Sequence, residues 1–165
     1  MSNYTVPGIE KNDAKQLIDG LQERLTDYND LHLILKHVHW NVQGPNFIAV
    51  HEMLDPEIER VRGFADEVAE RISTLGGEPI GTPEGHATDR TPLQYERNAG
   101  NVQDHLKDLN KLYSQVITGV RESLKQAGEV DPITEDIYIA HASDLEKFQW
   151  FIRAHIVDAE GNIEE

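Results

Sequence analysis

Apolar residues recur along this chain at steps of three and four, in four long runs separated by Gly and Pro. Leu17, Leu21, Leu25, Tyr28, Leu35, Val38 and Val42 mark one side of a first helix, expected from about Asp13 to Val42. Gly44-Pro45 ends it, and a second helix is expected from Phe47 to about Leu75, where Gly76-Gly77 forms a helix stop. Pro56 falls inside this second helix; it lacks a donor and crowds the preceding turn, which predicts a kink near Glu52 to Pro56. The stretch from Gly76 to Thr91, rich in Gly, Pro and Thr, reads as a long crossing connection. Thr91-Pro92 predicts the start of a short helix ending near Gly100. Val102, Leu106, Leu109, Tyr113, Val116, Val120 and Leu124 define a third long helix that stops at Gly128. Asp131-Pro132 supplies an N-cap and a proline at N1 for the fourth, continued by Ile137, Leu145, Phe148, Ile152 and His155. No strand pattern competes with these runs, and no internal repeat is visible. Two helix pairs joined by one long crossover predict an all-α four-helix bundle with a short extra helix between helices 2 and 3.

Composition narrows the class. The 165 residues suit one domain spanning 1–165, with short tails at 1–12 and 159–165, and 38% hydrophobic with 27% charged residues is globular. Thirty acidic against fifteen basic residues give a formal charge of −15, a field that repels nucleic acid and anionic membrane and gathers cations. The opening MSNYTVPGIEKND has no basic segment followed by an apolar one, and no apolar run approaches a membrane span, so a cytoplasmic protein is expected. The absence of cysteine excludes disulfides, thiolate nucleophiles and Cys-ligated metal sites. Any metal here meets oxygen and imidazole ligands.

Such ligands occur in a suggestive arrangement. On the second helix His51 and Asp55 stand at i, i+4, and Asp66 and Glu70 repeat that spacing on the same face after about three turns. At roughly 1.5 Å per residue the two pairs lie about 16 Å apart, whereas metal ligands come within about 2.0–2.3 Å of their ion. One chain cannot close both pairs on one ion. A twofold axis crossing this face would set His51 and Asp55 of one chain against Asp66 and Glu70 of the other, giving an interface metal site. Carboxylates four residues apart among Glu57, Glu59, Arg60, Arg62 and Glu67 also fit a plain solvated face. The histidines alter the comparison: His51 is in line with both pairs, and His39 sits beside Trp40 at the end of another apolar run. Metal ligation and hydrogen bonding in the core both explain a histidine there. Trp40 itself reads as a buried aromatic, and His32, His37, His86, His105, His141 and His155 as surface or core residues without a matching cluster.

These residues also carry a resemblance. His39-Trp40-Asn41-Val42, Gly44, Phe47, His51-Glu52-Met53-Leu54-Asp55, Asp66 and Ala69-Glu70-Arg71 are similar to the signature of the Dps family of bacterial mini-ferritins. Leu75-Gly76-Gly77, Pro79, Gly81 and Thr82 extend it, and Lys36 stands where family members often carry lysine. The resemblance covers nearly the whole chain. It implies a ferritin-like bundle in a hollow homo-oligomeric shell, a dodecamer, with ferroxidase sites at dimer interfaces: His39, His51 and Asp55 from one chain, Asp66 and Glu70 from its twofold mate. It also implies that Trp40 lies near the iron and intercepts oxidising equivalents. No Glu is followed three residues later by His, so an intrachain di-iron core is not expected.

The implied chemistry is oxidation of Fe(II) by hydrogen peroxide or dioxygen, with ferric mineral stored inside the shell. The acidic residues Glu129, Asp131, Glu135 and Asp136 are candidates for the lining of a threefold iron-entry pore, Asp136 foremost; carboxylates favoured at a helix N-terminus explain the same charges. Two other uses of the scaffold come into view. DNA compaction needs clustered Lys or Arg in the tails, but the leading segment has only Lys11 and Lys15 and the tail from Asp158 is acidic, so DNA is not an expected partner. A metal-dependent amide hydrolase would use the same ligands, with the metal activating water.

Overall fold

The computed structural model describes residues 4–87 and 93–157. Helices α1 (Lys11–Asn41), α2 (Phe47–Thr74), α4 (Val102–Gly128) and α5 (Pro132–Arg153) form the four-helix bundle that the periodicity predicts. α1 packs along α2 and α4 along α5, and the two pairs meet through α1 against α4 and α2 against α5. The apolar stripes close on one core: Leu21, Tyr28, Leu35, Leu54, Phe64, Leu106, Tyr113 and Leu145 are all inaccessible to solvent. Each such side chain stabilises the fold by about 1.5–3 kcal/mol relative to exposure. None of the helices described is long and apolar enough to cross a membrane.

Local chemistry fixes the ends. α2 stops in a Schellman turn, with Gly76 at φ 89° and the Gly77 and Gly76 amides donating to Ile72 and Ser73 carbonyls at 2.9 and 3.0 Å. α4 is capped by Asn101, whose side chain accepts from the Asp104 amide, and α5 by Asp131, which accepts from the Ile133 and Thr134 amides. α2 runs through Pro56, so the kink expected there does not interrupt the helix.

The crossover differs from expectation. The short helix α3 is Pro83–Ala87, ahead of the predicted position, and residues 93–99 are not helical. The expected cap at Thr91-Pro92 and the tail from Asp158 lie outside the described residues. The segment leading into α4 is instead extended and held along α1. Gln22 bonds both backbone groups of Ile80, Asp30 accepts from the Leu93 amide, and His37 Nε2 donates to the Arg97 carbonyl at 2.8 Å. It ends in a parallel bridge between β1 (Val42–Gln43) and β2 (Gly100–Asn101). These backbone groups are satisfied by α1 side chains and that bridge, which removes the need for a helix.

Several charged positions also depart from a solvated face. Glu57 and Arg71 of α2 are buried, as is Arg24 of α1. Trp40 is the converse: it is 71% exposed in the protomer, because it shares the outward face of α1 with Leu33 and Lys36 rather than the core stripe.

Candidate metal centre

The neck of the α1–α2 hairpin brings His39 and His51 together. Gly44 at φ 101° and Asn46 at φ 65° turn the chain within a few residues, so the last turn of α1 faces the first turn of α2. The imidazoles stack with centroids 3.6 Å apart and 22° between planes. His39 Nδ1 donates to the His51 carbonyl at 2.9 Å, and His51 Nδ1 donates to the His39 carbonyl at 2.8 Å. A carbonyl only accepts, so both Nδ1 atoms carry a proton, and in the neutral imidazole this tautomer puts the lone pair on Nε2. This is the outer-shell arrangement typical of metal-ligating histidines, whose second ring nitrogen is tied to a carbonyl or carboxylate. Phe47 also packs against His51, with ring centroids 5.1 Å apart.

Asp55 stands one turn beyond His51, half-exposed. Its Oδ1 accepts from Lys36 Nζ at 3.1 Å and lies 3.4 Å from His39 Nδ1. The Lys36 hydrogen bond holds the Asp55 carboxyl below the ordinary aspartate range, so an anionic oxygen waits beside the histidines. Among the described residues, no group of three His, Asp or Glu side chains within one chain converges to hold a metal ion. Asp66 and Glu70 lie further along α2 as exposed carboxylates, and neither has a protein partner among the described residues of the protomer.

Several large apolar side chains of α1 and α2 are exposed in the protomer. Leu33, Trp40 and Ile48 are more than half exposed, and Phe47 is 38% exposed. Exposed apolar side chains on the helices that carry the histidines are what an interface presents.

The other predicted positions sort differently. Asp131, a candidate for the pore, is 4% exposed and its carboxylate is engaged: it caps α5 and pairs with buried Arg71, also bonding Thr134. Glu129 and Asp136 are exposed, and Glu135 is half-buried with its carboxylate against Gly128. Of the remaining histidines, His105 and His141 are fully buried, whereas His37 and His155 are half-buried and bonded to backbone carbonyls. Sequence reasoning missed the reciprocal histidine lock and the contact of Lys36 with Asp55. The turn glycine is the one signal for the lock, since it licenses the close approach of the two helix ends.

Comparison with known proteins shows the family and the fold. The family described as ferritin-like domain matches residues 18–161. The DNA protection during starvation protein of Mycolicibacterium smegmatis is 52% identical over 163 residues, covering 99% of this chain and 89% of that one. The solved tetragonal form of Mycobacterium smegmatis Dps superposes with a TM-score of 0.93 at 52% identity over 100% of both chains. Dps from Microbacterium arborescens in its high iron form keeps a TM-score of 0.83 at 27% identity, over 92% of this chain and 97% of that one. With its bundle, its crossover and its hairpin-neck histidines in place, the chain belongs to the Dps family of ferritin-like proteins.

Proposed function

We propose that this protein oxidises Fe(II) with hydrogen peroxide, or dioxygen, at sites shared between twofold-related chains, and stores the ferric product as mineral inside a shell of twelve subunits. The observation that carries the reading is the reciprocal lock of His39 and His51, which leaves both Nε2 atoms as open donors beside anionic Asp55. Imidazole and carboxylate together suit Fe(II) and leave coordination positions for an oxidant. Iron is the substrate here. The unpartnered carboxylates of Asp66 and Glu70 complete the set when a second copy of α2 crosses the first, and exposed apolar Leu33, Trp40, Phe47 and Ile48 supply the surface on which that copy packs.

Each residue then has a task. His39 and His51 enter preset in tautomer and orientation, so no reorganisation precedes binding. Lys36 neutralises Asp55 until a cation replaces it. Two Fe(II) give two electrons to one peroxide, which leaves as water, and both reagents of radical damage are consumed. Protection of DNA follows from that consumption rather than from coating, because the chain carries a net charge of −15. Glu129, Glu135 and Asp136 remain our candidates for the iron entry pore, with Asp136 first.

Removal of a ligand tests the reading. Asp66→Ala or Glu70→Ala should lower the rate of peroxide-dependent Fe(II) oxidation by about tenfold or more while circular dichroism stays unchanged, since both side chains are exposed ligands and not core. Amide hydrolysis measured on the same preparations separates the hydrolytic use of these ligands. Hydrolysis without iron oxidation would replace the proposal.

A further inference from the structure

A second constellation lies in the bundle core, away from the hairpin neck. Tyr28 of α1 and His141 of α5 are both fully buried, and the Tyr28 hydroxyl lies 3.1 Å from His141 Nδ1. His141 Nε2 lies 2.9 Å from Glu67 Oε2, and Glu67 Oε1 accepts from Arg60 Nη1 at 2.9 Å. These contacts fix the protons. The Glu67 carboxylate is an acceptor, so His141 carries its hydrogen on Nε2, and its Nδ1 lone pair accepts the Tyr28 phenol. Burial pulls the imidazole below its ordinary range, so near neutral pH it is a free base. Phe64 packs on both rings, with centroids 4.2 Å from His141 and 5.5 Å from Tyr28, and keeps water out.

A phenol gives up an electron readily only when its proton has somewhere to go at the same moment. Tyr28 has such a place, and Glu67 stabilises the imidazolium that results. Half-buried Tyr95 and buried Tyr113 also meet titratable partners but lack this arrangement. His105, which contacts Tyr95, has a buried Nε2 with no partner, so nothing balances a charge formed there. Tyr113 donates to Glu57, a carboxyl whose burial favours the protonated acid.

We propose that Tyr28 is a redox-active tyrosine, with His141 as its proton acceptor and Glu67 as the positioning residue, which supplies one electron to the iron site when peroxide meets a single Fe(II). The inference rests on the iron-oxidation reading above. One Fe(II) and one electron from Tyr28 together reduce hydrogen peroxide, the O–O bond breaks, and two hydroxides form in place of a hydroxyl radical. The phenol proton moves to His141 Nδ1, leaving a neutral tyrosyl radical and an imidazolium. A second Fe(II) then returns the electron, the imidazolium returns the proton, and Tyr28 is restored. The sum is two Fe(II) oxidised per peroxide. Along α1 the eight to eleven residues from Tyr28 to Lys36 and His39 span about 12–16 Å, a distance for one electron transfer.

The test is electron paramagnetic resonance on freeze-quenched assembled protein, given substoichiometric Fe(II) and then peroxide, in a Trp40→Phe background with ring-deuterated tyrosine. A tyrosyl signal narrowed by the label is expected. Tyr28→Phe should abolish it and raise spin-trapped hydroxyl radical, Tyr95→Phe should keep it, and Glu67→Gln, which preserves a hydrogen bond to His141 without the charge, should slow its formation. Photo-oxidation of the iron-free protein by tris(bipyridine)ruthenium(III) makes the result independent of the iron reading. A Tyr28 radical there, formed more slowly in D2O, supports the relay even if Fe(II) is not oxidised. An undiminished radical in Tyr28→Phe, or one that vanishes in Tyr95→Phe, overturns the proposal.

Discussion

His39 and His51 each satisfy the other's backbone, and that mutual bond is why two imidazoles can sit at the edge of an apolar core with their Nε2 atoms open. Residue types and spacing singled out both histidines as candidate ligands in the sequence. The lock was not legible there, because it depends on a left-handed turn that sets two helix ends face to face. Charge patterning misled at Glu57, which stands among solvated neighbours yet is 1% exposed and bonded to Tyr113. Burial pushes its carboxyl up to about 8. An unfolded glutamate titrates near 4.3, so between about pH 4.3 and 8 the folded chain holds a proton that the unfolded chain releases, and stability falls as pH rises through that window. Glu57→Gln keeps the shape and removes the titration. It should lie within about 1 kcal/mol of the parent at pH 5 and exceed it by on the order of 3–5 kcal/mol at pH 8, read from urea unfolding. An equal difference at both pH values would show that the carboxyl ionises in place.

At the scale of elements, the four long helices followed from period and punctuation, and their ends matched the caps and stops within a few residues. The crossover did not follow, since its structure comes from Gln22, Asp30 and His37 on α1 rather than from its own residues. The α1–α4 contact holds a sharper case. Gly119 leaves room for buried Arg24: a Cβ there would fall 2.2 Å from Nη1 and 2.8 Å from Cζ. Arg24 is held by Asp27 at 3.0 Å and Ser123 at 3.4 Å and cannot swing clear without losing both. Alanine in mid-helix normally gains about 0.5–1 kcal/mol over glycine, whereas overpacking costs about 1–3 kcal/mol. The clash should win for Gly119→Ala, with a lowered midpoint of thermal unfolding. Gly20→Ala, across the same contact, meets nothing closer than Ser123 Oγ at 4.0 Å and should raise it. Opposite signs from two similar changes would locate the tight contact at Arg24; a stabilised Gly119→Ala would place it elsewhere.

At the scale of the whole molecule, the proposed ligands fall in two groups about 16 Å apart on one helix face, and Leu33, Trp40, Phe47 and Ile48 are exposed apolar side chains of the two helices that carry His39 and His51. Spacing alone pointed to a twofold partner. The exposure of Trp40, read from the sequence as a buried aromatic, supplies an apolar surface for that partner to cover. The central claim, that two chains share each site, is tested by mixing. His51→Ala and Glu70→Ala each lose about tenfold or more of the Fe(II) oxidation rate on this account. A heterodimer of the two carries one site with every ligand and one lacking both, so purified heterodimers should recover half the activity of the parent dimer. If each site were built from a single chain, both sites of the heterodimer would be defective, and activity in verified heterodimers no higher than in either variant would contradict the account.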